Sequence, residues 1–168
     1  MKIALMVLGV IVAVVVIVVV VGYGLPVKHH ASRQAVFRSP AESVYAAIAN
    51  VRDYPTWRSK VQSVEVLSEQ SFREKGSDGA ILYVVESAAP PVRRVTRIAD
   101  DKLPFGGTWT YELTPTSGGT ALRITEDGEV YNPVFRFMSK FVFGHRATID
   151  GYLKDLGKKF GSTVEITD

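Results

Sequence analysis

The chain contains no cysteine. That excludes disulfides, thiolate nucleophiles and cysteine metal sites, and leaves the redox character of its compartment open. Histidine is scarce, with three in all. There is no H-E-x-x-H, and the neighbours His29 and His30 find no third ligand, so no metal is expected. No G-x-S-x-G elbow, Walker loop or dinucleotide fingerprint occurs; Gly106-Gly107 and Gly118-Gly119 read as turns. No cofactor is expected. Excess charge is also lacking. Twenty basic against seventeen acidic residues leave +3, without the basic stripe of a nucleic-acid binder, so no nucleic-acid partner is expected. Internal repeats, low-complexity runs and Asn-x-Ser/Thr sites are absent.

Charge is missing altogether from the twenty-five residues between Lys2 and Lys28. From Ile3 to Val21 the run is almost wholly Val, Ile, Leu, Ala and Met. As a helix rising 1.5 Å per residue it covers about 30 Å, the thickness of a bilayer's hydrocarbon core, and it satisfies its own backbone. The expectation is a single-pass anchor at residues 1–23, in a membrane of the bacterial inner type. A cleaved signal peptide is the competing reading; its apolar core is shorter, about 7–15 residues, and ends in a small-residue site. Lys2 and the α-amino group at one end balance Lys28, Arg33 and Arg38 at the other. The side of the membrane is therefore not assigned.

Residues 24–31 read as a linker, with Gly24 and Pro26 ending the anchor helix. Residues 32–165 have the size of one ordinary domain. Gln34–Arg38 predicts a strand. Ser39-Pro40-Ala41-Glu42 predicts a helix start with Ser39 as cap and Glu42 closing a capping box. Val44, Ile48 and Val51 continue that helix at its own spacing, and Asp53–Trp57 breaks it before a very short second one. Between Val61 and Val130 the period becomes two: Val64/Val66, Ile81/Tyr83/Val85, Val92–Ile98, Trp109/Tyr111/Leu113 and Leu122/Ile124. This is an antiparallel meander with one buried face. Asn132-Pro133 then opens a helix expected to run to about Phe160. Its apolar stripe holds Val134, Met138, Phe141, Val142, Ile149, Tyr152, Leu153, Leu156 and Phe160. The fold class is α+β. A curved sheet wrapped on one helix leaves an apolar pocket between them.

The phrase SPAESVYAAIANVRDYPTWRS, followed by FGGTWTYELTP and NPVFRFMSKFVFGHRATIDGYLKDL, resembles the polyketide cyclase/dehydrase branch of the START and pollen-allergen-like superfamily, from about Gln34 to Phe160. The resemblance implies the helix-grip fold and a hydrophobic ligand cavity. It brings no universal catalytic motif, so fold alone does not give activity.

His145 lies near the centre of the last helix's stripe, and Glu126 continues the inward phase of Leu122 and Ile124. Facing each other, they form a candidate acid–base pair. Alternatively they only satisfy one another, or Glu126 turns outward near Gly128. Trp57, Tyr83, Trp109 and Tyr111 are candidates to line the pocket, with Met138, Phe141, His145 and Ile149 from the helix. Ordinary core packing is the alternative for the aromatics. Arg93, Arg94 and Arg97 share an ambiguous strand. Gly144 and Gly151 sit seven apart, each costing roughly 1 kcal/mol in a helix. Phe143 falls opposite the stripe. The expected function is a membrane-anchored carrier or sensor of a lipid or other hydrophobic small molecule. A cyclase, aromatase or dehydratase is the alternative, and a protein-interaction module a third; no protein partner is named by the sequence.

Overall fold

The computed structural model describes residues 2–77 and 79–168; Met1, the first residue of the expected anchor, and Asp78 lie outside them. The uncharged run forms one helix, α1 (Lys2–Gly24), with a mean hydropathy of 3.6 over its most apolar stretch. Eight antiparallel strands follow: β1 (Lys28–Phe37), β2 (Val61–Ser68), β3 (Ser71–Gly76), β4 (Gly79–Ala89), β5 (Arg93–Ile98), β6 (Phe105–Thr116), β7 (Gly119–Val130) and β8 (Ile166–Thr167). They pair in the order β2-β3-β4-β5-β6-β7-β1-β8. The meander of hairpins from β2 to β7 is local in sequence, and β1 closes its end by pairing with β7 from Lys28↔Glu129 to Phe37↔Thr120. Helices α2 (Ala41–Ala49) and α3 (Tyr54–Trp57) connect β1 to β2, with a 3₁₀ turn between them.

Alternation places Phe37, Tyr111, Leu113, Leu122 and Ile124 on the concave face, where they bury against Val44 and Ile48 of α2. The same face receives Ile149, Leu153 and Leu156 of α5 (Ala147–Lys159), all fully buried. Each such side chain contributes about 1.5–3 kcal/mol of transfer free energy, which is what holds α5 in the grip of the sheet. Asp155 of α5 fastens it further, accepting hydrogen bonds from the backbone N–H of Ser59 (2.8 Å) and from its hydroxyl (2.6 Å).

Three expectations need correction. The linker is shorter than residues 24–31, because β1 begins at Lys28 and pairs over its whole length. The Ser39 capping box does not form. The helix starts at Ala41 with Pro40 as its cap and no side-chain cap bond, and the Ser39 carbonyl accepts from Thr120 Oγ1 instead. The last helix is not one rod. It divides into α4 (Pro133–Met138), a π turn (Ser139–Phe143) and α5, separated at Gly144. Gly144 has φ 75° and ψ 145°, a conformation that side chains other than hydrogen avoid, so the chain turns there.

The break decides where α4 goes. Instead of lying over the sheet it packs against the end of α1. Gly22 of α1 meets Pro133 so closely that a Cβ there would lie 2.0 Å from the Pro133 carbonyl oxygen. Arg136, buried, donates to the carbonyls of Leu25 (2.8 Å) and Tyr131 (3.3 Å), and its guanidinium lies 6.0 Å from the Tyr23 ring centroid. A cation at the carboxyl end of a helix complements its dipole.

Candidate functional site

Register assembles the concave face in rows. Val85, Thr96, Trp109, Glu126 and Ala31 lie side by side across β4, β5, β6, β7 and β1. In the next row Arg94, Tyr111, Ile124 and Arg33 are neighbours. In the second row Tyr111, Ile124 and Arg33 lie under α5; in the first, Val85, Trp109 and Glu126 stay half-buried, so the concave face is partly open at that end.

Under α5 the expected apolar space is occupied by rings. Tyr152 meets Trp57, Trp109 and Tyr111 at centroid separations of 5.3, 5.8 and 5.7 Å. Trp57 Nε1 is buried without a hydrogen-bond partner. Tyr83, on β4, stacks on Phe72 of β3 at 5.3 Å. Beneath these rings runs an ion pair the sequence did not suggest: Arg58, just after α3, donates to Glu74 of β3, and its guanidinium sits 4.7 Å from the Tyr54 and 5.1 Å from the Tyr152 ring centroid. Burial pushes the Glu74 carboxyl up while Arg58 pulls it back, and the same pairing holds Arg58 protonated against its own burial. Burial likewise raises Tyr54, Tyr111 and Tyr152, so all three phenols are neutral. Arg94 of β5 is 8 % exposed with its Nε unpartnered. It borders a hollow of about 190 Å³ shared with Asn50, Val66, Ser71 and Phe72.

The open end holds the titratable cluster. Glu126 points inward, and its Oε1 lies 3.6 Å from Nε2 of His29, with both side chains largely buried. His145, in the turn between Gly144 and α5, stacks on the His29 ring at 4.0 Å and 19°. The His29 ring in turn lies over Gly128, where no side chain blocks it. His29 is thus interposed in the pair expected from Glu126 and His145. Burial, and then the neighbouring His29, lower the His145 imidazole below its ordinary value, with Glu126 opposing. A neutral imidazole beside a carboxylate can accept a proton or orient a polar group. Among the described residues, no group of three or more His, Asp or Glu is placed to hold a metal.

Of the other sequence candidates, Ile149 is fully buried core on the inner face of α5. Met138, at the end of α4, and Phe141, in the π turn, lie before the Gly144 break, and Phe141 is 59 % exposed. They do not join the ring cluster; the continuous apolar stripe that grouped them with Ile149 is cut by the turn. A hollow of about 630 Å³ is lined by His29 and by the row Arg97, Thr108, Asp127 and His30. That row alternates with Thr96, Trp109, Glu126 and Ala31, so the hollow lies mainly on the outer side of the sheet.

Residues 28–160 match the family model described as polyketide cyclase / dehydrase and lipid transport. The chain belongs to this family. No curated protein matches it by sequence. Among solved structures, a START superfamily protein from Mycobacterium smegmatis is similar at 17 % identity and TM-score 0.66, over 79 % of this chain and 97 % of that one. A conserved protein from Geobacillus kaustophilus is similar at 15 % identity and TM-score 0.66, over 83 % and 100 %. The di-domain ARO/CYC StfQ from the steffimycin biosynthetic pathway is similar at 16 % identity and TM-score 0.59, over 77 % of this chain and 49 % of that one. Identities this low speak for the fold alone, and one fold can carry unrelated chemistries.

Proposed function

We propose that the protein is a membrane-anchored binder of a hydrophobic or amphiphilic small molecule, acting as a carrier or sensor at the bilayer surface. The observation that carries this reading is the seat built for the end of α1. Gly22 fits against Pro133, and Arg136 is buried on the Leu25 carbonyl. A domain that packs its own buried arginine onto the end of an apolar helix keeps that helix, which favours a retained anchor over a cleaved signal. The same α4 leads through Gly144 to His145, so the open end of the concave face stands on the anchor's side of the domain. A ligand there meets Trp109, Tyr83 and Val85 as apolar surface, with His29, Glu126 and His145 as polar contacts. Because rings fill the space under α5, a longer guest has to displace Trp57 or Tyr152. Full-length protein purified in mild detergent should release a co-purified lipid or apolar metabolite in native mass spectrometry. Absence of any such species, together with no binding across a panel of lipids, overturns the proposal.

The cluster at the open end supports a second reading, a cyclase- or dehydratase-type enzyme. His29, Glu126 and a depressed His145 are the groups such chemistry would use for proton transfer. Loss of turnover on an apolar polyketide-like substrate in both Glu126→Gln and His145→Gln, with unfolding unchanged, would favour it over the carrier.

A further inference from the structure

We infer that Pro133–Phe143 is a second membrane contact: α4 and its π turn lie in the lipid interface beside α1 and seat the open end of the domain against the bilayer. The inference rests on α1 being a membrane span, and goes beyond it by giving the domain a fixed face toward lipid.

The segment reads PVFRFMSKFVF and carries an apolar surface that the protein does not cover. Phe135 is 50 %, Phe141 59 %, Val142 57 % and Phe143 64 % exposed. Elsewhere in the domain large apolar side chains are exposed singly, as at Val36, Leu67 and Val92. A contiguous patch of three consecutive apolar residues with a further phenylalanine one helix away is different in kind and marks an interaction surface.

Depth identifies what covers it. At 1.5 Å per residue α1 is about 35 Å long, slightly more than a hydrocarbon core. Along α1, Val18 and Val19 are partly covered and Gly22 is buried, and the helix that packs on this end of α1 is α4. Whatever packs beside the last turns of a span sits at headgroup level or below. The patch is therefore continuous with the lipid-facing surface of α1 itself. The polar groups around it suit that depth. Tyr23 and Tyr131 take the interfacial position favoured by tyrosine. Lys140, the one charged residue in the segment that is exposed, reaches the headgroups, whereas Arg136 is withdrawn onto the Leu25 and Tyr131 carbonyls. A short apolar helix carrying one exposed lysine and lying beside a span has the composition of an interfacial element. The Gly144 turn is then the device that releases this element from the sheet.

The absence of cysteine allows a direct test. Single cysteines are introduced by Val12→Cys in the span, Phe135→Cys and Phe143→Cys in the patch, and Val92→Cys in the turn between β4 and β5. The full chain is reconstituted in vesicles of phosphatidylethanolamine and phosphatidylglycerol, spin-labelled, and probed with oxygen and a water-soluble nickel complex. The expected result is that labels at 135 and 143 collide preferentially with oxygen, as at 12, by several-fold over the label at 92. Nickel-accessible labels at 135 and 143 with a lipid-exposed label at 12 overturn this inference alone. Nickel accessibility at 12 as well overturns the anchor reading and the inference with it. Labels at 135 and 143 shielded from both reagents overturn it in favour of a protein covering the patch.

Discussion

The imidazole of His145 lies flat on that of His29, their centroids 4.0 Å apart, and Glu126 reaches the stack through His29 Nε2 at 3.6 Å. Two imidazoles in contact resist taking two protons. Burial first, and then the neighbouring ring, depress His145, while Glu126 partly offsets them and Lys140 adds to the depression. The unfolded chain takes up this proton near pH 6.5 and the folded chain at a lower pH. Stability is therefore level above that value, falls as pH drops through it, and stops falling once the folded protein is protonated too. Thermal unfolding followed by circular dichroism between pH 8 and pH 5 should show this fall, and His145→Gln should reduce it.

The Arg58–Glu74 pair predicts an asymmetric response to mutation. Removing one partner leaves the other charge buried among Tyr54, Tyr152 and Phe72, at a cost of about 3–5 kcal/mol. Replacing both by apolar residues of similar size restores most of that loss. Melting temperatures of Glu74→Leu, Arg58→Met and the double variant form the cycle that checks it.

Trp109 should report ligand directly. It is half-buried at the open end, while Trp57 packs against Tyr54 and Tyr152. A lipid entering from the open side should shift tryptophan emission in wild type and in Trp57→Phe, and should do so only weakly in Trp109→Phe. Trp109→Ala should also weaken binding by about 1 kcal/mol or more, as loss of an aromatic contact does.

Gly22→Val should detach α1 from the domain without unfolding either. The side chain has no room beside the Pro133 carbonyl. Hydrogen exchange of the full chain in nanodiscs should rise sharply across 132–143 and stay unchanged in β6 and β7.

What the sequence made legible follows from periodicity. Trp109, Tyr111 and Leu113 alternate cleanly, as do Leu122, Ile124 and Glu126, because one face of an antiparallel sheet is buried and the other wet. The concave orientation of Glu126 could be read from that alternation, whereas the helix-grip frame is what the family resemblance implied. The Gly144 break was not legible, because apolar residues continue on both sides of it: Phe141 and Val142 stay exposed before it, and Ile149 is buried in the core after it. Glycine's helix cost hinted at it without saying where the chain would turn. His29 was assigned to a linker because it follows a glycine and a proline, yet pairing with β7 carries it into the site. Arg58 and Glu74 lie in different elements sixteen residues apart. No local pattern signals such a pair; only the path of the chain over the sheet brings it together.

Between Gly24 and Lys28 only Leu25, Pro26 and Val27 intervene, and Val27 already accepts a hydrogen bond from the Val130 amide. Three residues reach at most about 10 Å. Such a mount has no tether to pay out: the domain cannot swing toward a distant acceptor or sample the far side of an aqueous gap. Under the proposed function, cargo taken up here would be passed on by a visitor that comes to it, from a fixed docking berth and not by a ferry.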